Sequence, residues 1–422
     1  MLDIKFIKEN KSIIEDAIAK KGLVVDVEAL LSADKKRLLL LGEVEKKRAK
    51  QNEVSAEIAK STDPAEKQER IQEMQELKKD LQKKESALKE TMKKWRTLIL
   101  QIPNIPDASV PIGKSEEDNV EEATGGEKPS FSFPPKNHRE LMKNLDMVDF
   151  EAGSKVHGFR GYFLKNDGAE LSWALWNYAR DFFGQRGFTP VIAPAIVRQE
   201  YFYATGHLPT DADDLYKTQD DDYLSGTAEV PLMAYHADEI LKKEDLPKRY
   251  LAFSPCYRRE AGSYGKDTKG LVRVHEFFKF EQLILCEASH ETSVLLHEEI
   301  NKNMEEFVAS LSLPWRRLAI STGDLKTAQV KSYDTEVWIP SENAYREMGS
   351  ASYYHDFQSR RFNIKYDDKG TKRYVHSLNA TALATPRILV ALIENNQQKD
   401  GGIALPPLLQ KYMGKESIPS RS

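Results

Sequence analysis

Apolar residues in the first hundred positions recur at steps of three and four, the spacing of one face of an α-helix. Between about Val27 and Leu100 this apolar set is narrow, and lysine, glutamate and glutamine fill most other positions. A narrow seam on a highly charged helix predicts a coiled coil, because two such seams bury each other. Residues Ser61 to Pro64 interrupt the pattern with a helix-capping side chain and a proline suited to a first helical turn. We therefore predict two long antiparallel helices joined by a short turn.

The pattern changes after this hairpin. Gln101 to His138 is rich in proline, glycine and acidic residues without sustained periodicity, which predicts an extended linker. Beyond it, Glu336 to Pro340 and Arg361 to Tyr366 predict strands, and helices are predicted at about 168–187 and 382–396. We expect a helical arm at 1–102 with its coiled coil at about 27–100, a linker at 103–138, and an α+β domain at 139–422 built on an antiparallel sheet flanked by helices.

Composition limits the class of protein. The chain is 40% hydrophobic and 30% charged with a net charge of −4, which is typical of a globular protein and argues against indiscriminate nucleic-acid binding. No run of about 18 apolar residues is present, so we expect no membrane contact, and the amphipathic N-terminus lacks a signal-peptide core. Two cysteines make neither a disulfide framework nor a structural zinc site, and the nine histidines are scattered. We expect a cytoplasmic protein without zinc.

The most unusual polar pattern lies between Cys256 and Gln282. It predicts two strands joined by a loop that contains Gly262, Gly265 and Gly270. Strand alternation would place Arg258 and Glu260 on one face, and one face of the returning strand would carry Arg273, His275, Phe277, Lys279 and Glu281. A half-buried hairpin ordinarily has neutral polar or scattered charged residues there. This mixture predicts a site for an anionic, ring-bearing ligand such as a nucleotide, and no Rossmann or P-loop motif follows a strand elsewhere.

This stretch resembles the second signature motif of class II aminoacyl-tRNA synthetases, in the form that seryl-tRNA synthetases carry. Tyr257 stands in place of a phenylalanine, and the matching residues are Arg258, Glu260, Arg273, His275, Phe277, Lys279 and Glu281. The likeness extends to the helical hairpin, to the segment PNIPDASVPIG, to a first motif at about Gly168 to Pro194 and to a third at Leu378 to Asn395. It implies a catalytic domain at 139–422, a tRNA-binding arm at 1–102, and a homodimer formed through the first motif.

The resemblance also implies ATP and Mg²⁺ as cofactors. Arg258 would bind the α-phosphate, and Arg387 would lie near the γ-phosphate and adenine, because guanidinium groups hold phosphate bidentately. Phe277 would stack on adenine, Glu260 would position the nucleotide, and Glu347 would hold Mg²⁺. Arg258, Glu260 and Arg387 are the implied catalytic residues. The other implied nucleotide contacts are Arg259, Val274, Met348, Gly349 and Ser350.

A second set would select serine. Thr227, Ala228 and Glu229 resemble the segment that contacts the substrate amino group, with Glu281 on the amine or hydroxyl and Thr381 on the hydroxyl. A buried polar pocket rejects alanine because its own groups would be left unpaired.

Three further parts of the sequence depart from the family pattern. The third motif has Asn379-Ala380-Thr381-Ala382 where asparagine-glycine-serine-glycine is usual. Gly349 and Arg259 each stand where serine is common.

The implied function is a serine–tRNA ligase that makes seryl-adenylate from L-serine and ATP. It would transfer the seryl group to tRNA(Ser), and to tRNA(Sec) where that exists. Two alternatives stay open: a homologue that activates an amino acid for a carrier protein, and a non-catalytic coiled-coil scaffold, since coiled coils are often spacers or self-association devices. The long arm counts against the first alternative. The intact Arg258, Glu281, Glu347 and Arg387 count against the second.

Overall fold

The computed structural model describes residues 1–263, 267 and 269–421. They form two compact units, one from Met1 to Pro103 and one from Asn104 onward. Gly265 of the predicted loop lies outside the described residues.

The first unit is helical. Its helices are α1 (Ile4–Glu9), α2 (Lys11–Lys20), α3 (Val27–Lys60) and α4 (Pro64–Gln101). The predicted long helices and the break between them are confirmed: the Asp63 carboxylate caps α4 by accepting from the Ala65 N–H at 2.9 Å, and Pro64 opens the helix. The ion pair between Glu57 and Arg70 lies near the turn, and more distant positions such as Glu43 and Lys84 pair further along, so the helices run antiparallel.

The second unit is α+β, as predicted. Its helices are α5 (His138–Asn144), α6 (Phe150–His157), α7 (Asp167–Gly184), α8 (Gln199–Thr205), α9 (Glu229–Tyr235), α10 (His290–Ser310), α11 (Phe357–Phe362), α12 (Arg387–Asn395) and α13 (Pro407–Met413). Its strands are β1 (Val120–Gly125), β2 (Val148–Asp149), β3 (Phe163–Leu164), β4 (Thr189–Ile192), β5 (Ile196–Val197), β6 (Tyr216–Lys217), β7 (Tyr223–Leu224), β8 (Ile240–Lys242), β9 (Lys248–Tyr257), β10 (Glu276–Cys286), β11 (Trp315–Ala319), β12 (Lys331–Ile339), β13 (Ala344–Tyr353), β14 (Lys365–Asp368), β15 (Thr371–Tyr374), β16 (His376–Thr385), β17 (Ile403–Ala404) and β18 (Ser417–Ile418).

The main sheet has the strand order β1-β11-β12-β13-β16-β10-β9-β4, antiparallel except for the β4–β9 pair. Its edge strand β1 comes from the segment predicted to be a linker, and it pairs with β11. Residues 120–125 of this segment therefore belong to the edge of the sheet. Its sequence conceals the strand because an exposed edge strand buries little apolar surface and shows no clear alternation.

Strands β9 and β10 form the predicted pair, but they are shorter than predicted. Strand β9 ends at Tyr257 and β10 begins at Glu276, so Arg258, Glu260 and Arg273 belong to the connection. Glu260 has a φ of +56°, a left-handed conformation that ends the extended backbone. The prediction that Arg258 and Glu260 share a strand face is therefore wrong.

Alternation within β10 itself is confirmed. Phe278 and Phe280 face Phe253 of β9, and Phe278 also contacts Trp176 of α7 at 5.1 Å between ring centroids. Lys279 and Glu281 lie on the opposite face. One strand thus contributes to the apolar core and to a polar site at the same time.

Two other boundaries differ from the sequence prediction. Residues 382–385, predicted to begin a helix, belong to strand β16. The prediction failed because β16 is buried on both faces and its sequence shows no alternation. Residues 361 and 362 end α11, and the strand predicted there begins only at Lys365.

The core behind the sheet is aromatic. Phe307 of α10 is fully buried, and its ring lies 5.4 Å from Tyr178 and 5.5 Å from Phe183, both on α7. This packing joins α10 to the helix that also contacts β10.

We expect Phe307→Ala to lower the free energy of unfolding of the second unit by about 3–5 kcal/mol, because a buried ring leaves a cavity. Leu295→Ala is the matched control, since this residue of the same helix is 72% exposed, and its effect should stay within about 0.5 kcal/mol. Urea unfolding followed by tryptophan fluorescence measures both. Equal decreases in the free energy of unfolding of the two variants would contradict the packing described.

Candidate active site

A cavity of about 110 Å³ opens on the polar face of β10. Glu281 is buried at its wall, forms an ion pair with Lys279 and accepts a hydrogen bond from the Thr227 hydroxyl at 3.1 Å. A buried carboxylate is stable only with such partners. Thr227 and Glu281 are brought together as the sequence predicted, from positions 54 residues apart.

Glu229 lines the same cavity as the first residue of α9. Its carboxylate accepts a hydrogen bond of 2.6 Å from the Gln358 amide, and Gln358 in turn accepts from the Ser377 hydroxyl at 2.8 Å. Burial raises the pKa of Glu229 to about 7, against the opposing hydrogen bond from Gln358 and with a further upward contribution from Glu281. The end of the cavity near these two carboxylates is suited to a cation with hydrogen-bond donors.

Asn379 adds an amide to this cavity. Its Oδ1 accepts from the Tyr354 hydroxyl at 3.2 Å, while its buried Nδ2 has no acceptor among the residues that the structure describes. A buried donor in this state is costly, so it marks a place for a ligand oxygen. Sequence reasoning missed Asn379, Gln358 and Tyr354. Only Asn379 carried a signal, its place in the third motif.

Arg258 stands at the opposite end, and it lines two further cavities. Its guanidinium donates to the Gly226 carbonyl at 3.5 Å and lies 5.3 Å from the centroid of the Phe277 ring. One cavity, of about 600 Å³, also contains Glu260 and Arg273. The other contains Phe277 and Arg387.

Salt bridges hold Arg273 and Arg387 in place. Arg273 binds Glu260 at 2.7 Å and Asp267 at 3.5 Å. Burial lowers the pKa of Arg273, but these two carboxylates outweigh it, so the pKa lies above its usual value. Arg387 donates to the backbone carbonyl of Glu347 at 2.7 Å and lies 3.7 Å from its carboxylate. Burial lowers the pKa of Arg387. Glu260 and Arg387 thus lie beside Arg258, although Glu260 is already paired with a cation.

The Glu347 side chain is about half exposed at the mouth of its cavity. In the described part of the chain, no three His, Cys, Asp or Glu side chains form a metal-holding group. One accessible carboxylate fits Mg²⁺ that arrives with phosphate oxygens, because this ion commonly takes only one or two protein carboxylates.

Gly349 and Thr381, two of the departures from the family pattern, lie against each other. A Cβ on Gly349 would be 2.3 Å from the Thr381 Cβ and 2.7 Å from its Cγ2. No side chain fits at that distance, so the larger threonine is accommodated by the glycine across β13 and β16. The two departures form one packing arrangement.

Some of the remaining predicted residues line the cavities and others do not. Val274 and Met348 are buried and line the cavity of Phe277, and Ser350 lines the cavity of Glu281. Ala228 is fully buried beneath the segment that carries Thr227. Arg259 is exposed, and its charge acts on Tyr216 instead.

Comparisons with known proteins identify the family. The model of the tRNA synthetase class II core domain (G, H, P, S and T) matches residues 215–396, and that of the seryl-tRNA synthetase N-terminal domain matches residues 1–106. The chain is 43% identical to a serine–tRNA ligase of Thermodesulfovibrio yellowstonii over 99% of this chain and 100% of that one. It is 41% identical to that of Deinococcus radiodurans over 99% of both. The solved seryl-tRNA synthetase of Pyrococcus horikoshii, complexed with ATP, superposes with a TM-score of 0.88 at 37% identity over the full length of both chains.

The match to the class II core model, on a sheet that is antiparallel except for one edge pair, places the chain among the class II aminoacyl-tRNA synthetases. With a matching N-terminal unit and relatives of about 40% identity along its whole length, the chain belongs to the seryl-tRNA synthetase family. None of the described helices is both long enough and apolar enough to span a bilayer.

The raised pKa of Glu229 predicts a pH-dependent stability. Its ordinary value is 4.5 and its folded value about 7, so between these pH values only the unfolded chain loses the proton. Stability therefore falls as pH rises through this window. Between pH 4.5 and 7, we expect the free energy of unfolding of Glu229→Gln to rise by up to about 3 kcal/mol relative to that of the unchanged chain. Denaturant unfolding at half-unit pH steps measures this. Glu200→Gln, at an exposed carboxylate of α8, should leave the profile unchanged. A difference in unfolding free energy between Glu229→Gln and the unchanged chain that does not vary with pH would contradict the raised pKa of Glu229.

Proposed function

We propose that this chain is a serine–tRNA ligase. It activates L-serine with ATP, releases pyrophosphate, and transfers the seryl group from seryl-adenylate to tRNA(Ser), and to tRNA(Sec) in cells that have one. One observation carries the proposal: a buried acidic end, Glu229 and Glu281, adjoins an arginine-rich end within the same set of cavities. That charge arrangement fits an amino acid whose carboxylate points toward a nucleotide phosphate.

The acidic end would bind the serine ammonium and hydroxyl groups. Glu229 and the Thr227 hydroxyl are proposed to hold the ammonium group, and Glu281 the ammonium or hydroxyl group, with Thr381 nearby on β16. Carboxylate and hydroxyl oxygens satisfy an ammonium group directly, so we propose no zinc for this enzyme. Once the ammonium binds, Glu229 must be ionised, and serine binding near neutral pH would release its proton.

The arginine-rich end would bind ATP. Arg258 is proposed to hold the α-phosphate, with Arg387 near the γ-phosphate and the adenine. Phe277 would stack on the adenine once the Arg258 guanidinium turns from its ring to the phosphate. Glu260, fixed by Arg273, would position the nucleotide. The backbone and side chains around Val274, Met348, Gly349 and Ser350 would complete the nucleotide pocket, with exposed Arg259 contributing charge from outside.

Positioning and charge stabilisation carry the rate. The serine carboxylate attacks the α-phosphorus and pyrophosphate leaves, with no covalent enzyme intermediate. Arg258 and Arg387 would neutralise the charge that builds on the phosphate oxygens. Glu347 is proposed to hold Mg²⁺, which supplies further neutralisation of the leaving phosphates.

The helical arm, 1–102, is proposed to bind the tRNA through its shape and backbone. Lys35, Lys36 and Lys46 of α3 are exposed and supply positive charge, while Lys47 is paired with Asp80 of α4. The segment 103–138 would connect the arm to the catalytic domain at 139–422.

We also propose a cytoplasmic homodimer formed through α7. Trp173 of this helix is 53% exposed, and Phe163 and Val156 are exposed around the same apolar cavity. A contiguous apolar patch of this kind is typical of an interface.

Serine-dependent exchange of labelled pyrophosphate into ATP tests the activation step. We expect exchange with the unchanged protein, and a loss of at least about 100-fold in Arg258→Ala, because a charge-stabilising donor is removed. Arg198→Ala, at an arginine that is 73% exposed and outside the cavities, is the control and should exchange normally. Absence of exchange by folded, unchanged protein would reject the ligase. Normal exchange by Arg258→Ala would reject only its phosphate role.

Deletion of residues 35–97, closed by a short glycine–serine linker, tests the arm. Pyrophosphate exchange should remain, because the cavities lie in the second unit, whereas charging of tRNA(Ser) should be abolished. Serine transferred to tRNA at near-normal rates by the deleted protein would show that the arm is not needed.

A further inference from the structure

Two of the cavities share part of their lining. The cavity of Glu281 and the larger cavity of Arg273 have five residues in common, namely Thr227, His207, Asp211, Arg258 and Lys326. These residues mark the junction between the amino-acid end and the larger cavity, and Arg258 among them also lines the cavity of Phe277, where the nucleotide is proposed to bind. If the proposed function is right, the reacting carboxylate and the α-phosphate meet beside Arg258, at the edge of this junction.

The junction contains only two cationic side chains among those five. His207 is partly buried, and the loss of solvation with nearby cations lowers its pKa to about 3, so it is neutral at physiological pH. Thr227 is uncharged, and Asp211 is acidic. Arg258 and Lys326 are therefore the groups of this junction that can hold an anion there.

Lys326 lies in the connection between β11 and β12, which is held by several hydrogen bonds. Its own N–H donates to Gln329 Oε1 at 2.8 Å, and Gln329 donates from Nε2 to the Ser352 hydroxyl at 2.7 Å. Asn104 binds the backbone of the two residues that follow Lys326, with its N–H on the Thr327 carbonyl at 2.8 Å and its Nδ2 on the Ala328 carbonyl at 3.0 Å. This anchoring presents Lys326 at a defined place.

The charge of Lys326 acts on both sides of the junction. It opposes the burial that raises the pKa of Asp211, and it makes a smaller contribution against the burial that raises the pKa of Glu229. Its position is thus within electrostatic reach of the acidic end, where the serine ammonium would bind. The serine carboxylate is separated from that ammonium by one carbon, which brings it within reach of the junction.

We propose that Lys326 is a substrate-binding residue that holds the carboxylate of serine, together with Arg258, in line for attack on the α-phosphate. This inference rests on the proposed function and assigns a role that the second and third motifs do not contain. Arg258 is shared between carboxylate and phosphate, and Lys326 supplies the second cation that two converging anions require.

Lys326→Met and Lys326→Arg test the role, with Lys331→Met as the matched control. Lys331 begins β12 at the other end of the same connection, and its ammonium contacts Ser109, outside these cavities. In pyrophosphate exchange we expect Lys326→Met to raise the KM for serine about 10- to 100-fold, the cost of a charge-assisted hydrogen bond. The KM for ATP should change less than about threefold. Lys326→Arg should recover most of the serine affinity, and Lys331→Met should match the unchanged protein.

An analogue identifies the group that Lys326 contacts. Serinol has the amine and hydroxyl of serine but a neutral hydroxymethyl in place of the carboxylate. Its inhibition constant should be the same in the unchanged protein and in Lys326→Met. An equal loss for serine and serinol would overturn the proposal, and so would an increase confined to the KM for ATP, since the lysine would then serve the phosphate.

A double variant tests whether Lys326 serves only to neutralise Asp211. If Lys326 only compensates Asp211, adding Asp211→Asn to Lys326→Met would restore the KM for serine, and the proposal would be wrong. We expect no such recovery. Calorimetric binding of serine to the same variants separates this question from the proposed function: it reports on Lys326 even if the unchanged protein shows no exchange.

Discussion

The constraint on which the rest of the molecule depends is the placement of β10 between β9 and β16. Both faces of this strand are buried, and they are buried for opposite reasons. Phe278 and Phe280 are covered by aromatic rings, while Lys279 and Glu281 neutralise each other on the other face. A shift of one residue would exchange the faces, placing charges in the core and phenylalanines in the site. The register that builds the core therefore builds the site as well.

Charge separation along the cavities follows from this arrangement. Burial of the acidic end raises the pKa of Glu229 to about 7. At the cationic end, carboxylates such as Glu260 hold the arginines in place. Charges held in place before the substrate arrives need little reorganisation during reaction, and this is the main source of rate in phosphate chemistry. The site is therefore defined by the distribution of its charges as much as by any single residue.

Much of the fold was predictable because it depends on local periodicity. The two long helices, their capped turn and the alternation of β10 all follow from spacings of 3.6 or 2 residues. Prediction failed where burial removes the pattern, as in the doubly buried β16, and where exposure removes it, as at the edge strand β1. Arg258 and Glu260 were predicted on a strand face, but β9 ends at Tyr257 and the backbone at Glu260 is left-handed, so both residues lie in the connection.

The sequence by itself determined the helical arm, the α+β class and the motif residues, because these depend on short-range spacing and residue type. Only the tertiary structure decided which distant groups meet them. Gln358 reaches Glu229 across 129 positions, and Lys326 reaches the junction from the connection after β11. Gly349 and Thr381, separate departures from a pattern along the chain, become one packing contact across two strands. Such pairings are set by sheet register and close packing, and neither is expressed in the residues adjacent along the chain.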